Sequence, residues 1–137
     1  MKKLALVALV VLPFAACLKS DAYQEDNNQV LVNMNFVRVN TPASATVGDT
    51  LFAQVTVTGS NTCTVFKGFN GTTSGIDQYD IRAIGSVPSP NNASGCANAV
   101  IAKDTFLTIT PKSPAKLVFR FYNNETLYQA DTVVVTP

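Results

Sequence analysis

The chain contains no histidine and no tryptophan. Without histidine, the side chain on which acyl transfer and general-base catalysis most often lean is missing. Zinc and copper sites favour His and Cys, and the chain has only 3 cysteines. Charge is also scarce. Only 14% of residues are charged, with 10 Lys+Arg set against 9 Asp+Glu. A grip on nucleic acid needs a concentrated positive field, so nucleic acid is excluded as a partner. No glycine-rich loop follows a strand and opens a helix, which leaves nucleotide binding without support. Asp49, Asp77 and Asp80 offer oxygen ligands, but Asp77-Gln78-Tyr79-Asp80 lacks the dense alternation of a calcium loop. The same two carboxylates make a poor hydrolytic pair, because that chemistry needs a cleft between opposed carboxyls. The sequence therefore reads as non-catalytic, with no cofactor and no metal.

What is present falls into three parts. Met1-Lys2-Lys3 is a positive start, and Leu4 to Leu12 is an apolar run too short to cross a bilayer core of ~30 Å as a helix. Pro13-Phe14-Ala15-Ala16-Cys17 follows, with small residues before a cysteine. Residues 18–29, LKSDAYQEDNNQ, hold no periodic apolar pattern and read as a flexible tether. From Val30 to Pro137 the chain is rich in alternating apolar and polar residues, and no stretch there carries a 3.6-residue period.

The clearest alternation is in Pro42 to Gly59. A turn at Val47-Gly48-Asp49 leads into a strand with Leu51, Ala53, Val55 and Val57 on one face. Its other face carries Thr50, Phe52, Gln54, Thr56 and Thr58. Upstream, Val30, Val32, Met34 and Phe36 share a face, and the phase then shifts to Val37 and Val39, which predicts a bulge or a switch between sheets. Downstream strands are expected over 63–69, 78–87, 97–110, 117–122 and 127–135. Asn70 to Gly75 and Pro88 to Gly95 are expected as loops. Asn123-Asn124-Glu125 is expected as a turn, because Asn tolerates positive φ.

Residues 1–17 resemble a bacterial lipoprotein signal. The resemblance implies a signal peptide at 1–16, cut before Cys17, whose thiol carries a diacylglyceryl anchor. It departs from the family at Phe14, where Leu is usual. Two or three acyl chains, at about 0.8 kcal/mol per buried CH₂, anchor a protein durably where one does not. The acidic residues Asp21, Glu25 and Asp26 are similar to the post-cysteine segment that routes many Bacteroidetes lipoproteins to the cell surface, and a merely solvated linker reads equally well. The implied location is the outer membrane of the cell envelope, lipid-anchored, with exposure at the cell surface where the acidic segment is read as such a signal.

Residues 30–137 resemble an immunoglobulin-like domain of the bacterial lipoprotein kind. The fold class expected is all-β, a two-sheet antiparallel sandwich of seven to eight strands. A jelly roll or another Greek key remains open. With Cys17 assigned, Cys63 and Cys96 form an even pair in an oxidising compartment. They open the third and fifth expected strands, at the same end of such a sandwich, so a disulfide is expected, with two free thiols as the alternative. In such a sheet the second and fifth strands are neighbours, which puts Phe52 and Phe106 on one outer surface as a candidate binding face. The alternative is that a flank of the N-terminal strand covers them, or that the inward–outward phase is off by one residue. A second candidate is the cystine-tied end, built from 60–63, 86–96 and 123–126.

Asp49-Thr50-Leu51 and Asp131-Thr132-Val133 look like the tripeptide that Bacteroidetes O-glycosylation modifies, and they fit better as ordinary turn-to-strand entries. Asn70, Asn92 and Asn124 head N-glycosylation sequons of the kind that Asn/Thr-rich turns produce by chance. The function expected is a non-catalytic surface module that binds a protein or a glycan. A structural accessory of an envelope complex is the second reading.

Overall fold

The computed structural model describes residues 28–137. The expected signal segment, Cys17 and the tether as far as residue 27 lie outside the described residues. The fold is all-β. Eight strands are present: β1 (Gln29–Asn40), β2 (Ser44–Thr46), β3 (Leu51–Gly59), β4 (Val65–Gly75), β5 (Gln78–Pro88), β6 (Ile101–Ile109), β7 (Ala115–Asn123) and β8 (Thr126–Thr136). Among the described residues, the single helical feature is one 3₁₀ turn at Pro90–Asn92.

The strands form a strongly curled sheet in the order β2-β8-β7-β5-β1-β3-β6, with β4 on the other edge of β5. Most pairs are antiparallel, as expected, but β2–β8 and β5–β7 are parallel. A mixed sheet of this kind is not a plain immunoglobulin fold.

The curl turns on β1. Its residues 29–34 pair with β5 and its residues 35–40 pair with β3, with a register shift between Phe36 and Arg38. This is the phase shift read at Val37, which is left exposed while Met34, Phe36 and Val39 are buried. The reason lies on β5. β1 runs down one edge of β5 as far as Ala83, and β7 runs up the same edge as far as Ile81. The two strands meet head-on, and β1 turns away to join β3.

The core fills the inside of the curl. Phe36, Phe119, Phe121, Met34, Val55, Val57 and Val133 are its largest fully buried apolar side chains. The Phe36 ring meets Phe121 edge-to-face at 5.2 Å between centroids. In β3 every second residue from Leu51 to Gly59 is buried, as the alternation requires. Gly85 allows the close packing around β1 and β4, since a Cβ there would lie 2.8 Å from Met34 Sδ and 3.0 Å from the Val65 carbonyl oxygen.

Three expectations are corrected. Asn70 to Gly75 is not a loop but the exposed second half of β4, paired with residues 78–82 of β5. Among the described residues, β4 has no partner on its other edge, so it buries little and shows no alternation to read. The turn is shifted to Ile76-Asp77, where Asp77 takes φ of 56°. The strand expected from Ala97 begins only at Ile101. Finally, Gln29 belongs to β1 rather than to a tether. It pairs with Pro88, and its Oε1 accepts a hydrogen bond from the buried Ser86 hydroxyl at 2.9 Å.

Candidate functional site

β3 and β6 pair over nine residues without a break, which fixes how their outer faces meet. Phe52 lies opposite Thr108, and Gln54 lies opposite Phe106. The two phenylalanines are therefore diagonal neighbours. Their rings meet edge-to-face at 6.3 Å between centroids. Both stay exposed, at 55% and 57%. Their outward position follows from the inward one of Leu51, Ala53 and Val55, because successive side chains of a strand alternate faces. Among the described residues, no segment covers them.

The surroundings of the pair are polar. Along the strands in one direction, the hydroxyls of Thr50 and Thr110 lie 3.1 Å apart. In the other direction, Thr56 Oγ1 donates to Asp104 Oδ1 at 2.5 Å, and Arg38 reaches the same carboxylate at 3.6 Å. Gln54 lies between Asn40 of β1 and Phe106 of β6. The face thus offers two apolar rings beside amides, hydroxyls and one ion pair. Exposed aromatic rings of this kind remove much apolar area from water on contact, while hydrogen-bonding neighbours set orientation.

Cys63 and Cys96 form a disulfide, with their Cα atoms 5.4 Å apart. Cys63 sits in the turn before β4, and Cys96 in the long segment before β6. The two stretches are stitched further. Thr62 N–H donates to the Ala97 carbonyl at 3.1 Å, and Ala97 N–H donates to Thr62 Oγ1 at 2.9 Å. The start of the described chain joins the same end, where Ser89 N–H donates to the Asn28 carbonyl at 2.8 Å. The third loop expected there, 123–126, is placed elsewhere. Asn124, with φ of 55°, lies beside Asn33 and Arg82, well below the cystine end of β1 and β5.

Asp77 and Asp80 are not a carboxylate pair. Asp80 is held by Arg120 through two bonds, Nε to Oδ1 at 2.7 Å and Nη2 to Oδ2 at 3.0 Å, and Ser74 donates to its Oδ1 at 3.0 Å. The Arg120 hydrogen bonds are the main reason its carboxyl titrates below the usual carboxylate range; Ser74 adds to the effect and partial burial opposes it. A bidentate guanidinium–carboxylate pair is a fixed structural unit rather than a poised acid. Sequence reasoning did not find this pair. Its only sequence sign is two charges at outward positions of separate strands, which periodicity cannot connect.

No family model matches the chain, and no curated protein or solved structure matches it.

Proposed function

We propose that the protein is a non-catalytic binding module of the bacterial cell envelope, held to the outer membrane through acyl chains on Cys17. In this reading the curled sheet is an immunoglobulin-like sandwich modified by its parallel pairs. One layer is β1–β3–β6, and the other contains β5, β7 and β8. The face around Phe52 and Phe106 takes a protein or a glycan. The observation that carries the reading is the contact of two large apolar rings, each more than half exposed, on a regular strand pair with a polar surround. Soluble proteins seldom leave such neighbours uncovered without a use for them. The lipid anchor and the location rest on the resemblance of residues 1–17 to a lipoprotein signal.

Two measurements test it. Intact-mass analysis of membrane-extracted protein is expected to show a chain beginning at an acylated Cys17, two daltons light through the Cys63–Cys96 bond. On glycan and protein arrays, the wild type is expected to be retained and a Phe52→Ala/Phe106→Ala variant is not. Retention unchanged by the double substitution removes the binding face from the proposal. A stoichiometric partner recovered with the protein from membranes, without any array signal, favours the accessory reading instead.

A further inference from the structure

The inside of the curl is not filled to its edge. Where β6 and β4 end the sheet, a cavity of about 470 Å³ opens between the inner face of β6 and the strands opposite it. Its walls include Leu107 and Ile109 of β6, Phe69 of β4, and Tyr79 and Phe119, whose rings stack at 5.7 Å. This space is of a size typical of small-molecule sites, about 300–1,000 Å³, and like them it is mainly apolar. Its back is rigid, since Phe119, Ile81 and Leu117 are buried in the packed core.

Its charged groups come from two turns, beside the hydroxyls of Tyr79 and Thr110. Asp77 follows β4, and Lys112 and Ser113 stand between β6 and β7. Among the described residues, neither Asp77 nor Lys112 forms an ion pair. One charge of each sign means that a singly charged end group gains from one and loses to the other. An uncharged end that hydrogen-bonds, such as a hydroxyl or ester, avoids that conflict.

We propose that this cavity binds a neutral amphiphile, a molecule with an aliphatic body and an uncharged polar end. The body lies against Leu107, Ile109 and Phe119, and the polar end faces Asp77, Lys112 and Ser113. The site is separate from the outer face, because Leu107 and Phe106 are successive residues of β6 and point to opposite sides of it.

The test is native mass spectrometry of the full chain released from detergent micelles and titrated with 1-monopalmitoylglycerol or with palmitic acid. A saturable one-to-one adduct with the monoacylglycerol is expected, with palmitic acid bound more weakly. Leu107→Trp fills the cavity and is expected to weaken the adduct by about tenfold or more, the loss of a few buried methylene contacts. Ile109→Phe is the second variant, and a retained strand signature in circular dichroism together with the intact disulfide shows that either one folds. Phe52→Ala/Phe106→Ala is expected to leave the adduct unchanged, so failure here and failure of the outer face are told apart. Absence of a saturable adduct, equal binding by both folded cavity variants, or tighter binding of palmitic acid overturns the proposal.

Discussion

The side chain of Asn123 serves as a strand partner for Phe36. Its Oδ1 accepts from the Phe36 N–H at 2.7 Å, and its Nδ2 donates to the Phe36 carbonyl at 3.1 Å. Phe36 stands at the register shift, where β1 has left β5. The primary amide of Asn123, at the end of β7, meets both main-chain groups there. The arrangement holds the bend in β1 against the core.

Asn123→Ala is therefore expected to destabilise the fold by about 1–3 kcal/mol, the cost of leaving part-buried main-chain groups unpaired. Asn123→Asp keeps the acceptor and loses the donor to Phe36, so it is expected to be destabilising as well. Urea unfolding followed by circular dichroism measures both.

Loss of the disulfide, through Cys63→Ser/Cys96→Ser, is expected to lower stability by about 3–4 kcal/mol on the chain-entropy account. The bond spans 33 residues and ties the 89–100 segment to the turn before β4. Denaturation midpoints give the total, and limited proteolysis is expected to cut first within 89–100.

Asp80 makes the fold acid-sensitive. Its carboxyl titrates below its unfolded value because Arg120 donates to it. The native state therefore holds on to the charge longer than the unfolded chain does. The stability this contributes is complete above the unfolded value of about 3.9 and is lost as pH falls through the lower folded value. The same pair pushes Arg120 further up, away from any working pH. Thermal melts from about pH 6 down to about pH 2 are expected to show a shallower acid loss for Asp80→Asn than for the wild type, from a lower starting stability.

Among the described residues, the buried hydroxyl oxygen of Thr41 has no hydrogen-bond partner. Thr41→Val removes the group and keeps the shape, so it is expected to raise stability by about 1 kcal/mol, read as a higher urea midpoint.

Faces were legible in the sequence, and neighbours were not. The alternation from Leu51 to Val57 identifies the buried side of β3. The slip at Val37 marks the bend of β1. The positive φ of Asn124 follows from the residue type. Each of these is a local property. The parallel contact of β5 with β7 depends on β1 leaving the edge they share, and no period in either strand carries that information. The second half of β4 escaped notice because an edge strand exposed on both sides has the composition of a loop. At the candidate site, the outward phase of Phe52 and of Phe106 was legible from each strand alone, while their shared surface came from the immunoglobulin-like resemblance and their ring contact from the structure. The cavity under β6 was not, since Leu107 and Ile109 have the pattern of ordinary core residues whether or not something faces them.

The passage of β1 from β5 to β3 has a mechanical consequence. A force applied at Gln29, along the strand and against a hold on the outer face of β3, first meets the ladder between residues 29–34 and β5. That ladder is strained lengthwise, so its bonds share the load instead of parting one by one. The bend at Phe36 then stands between the pull and the second half of the strand, and the Asn123 amide becomes the latch that has to give before β3 feels any tension.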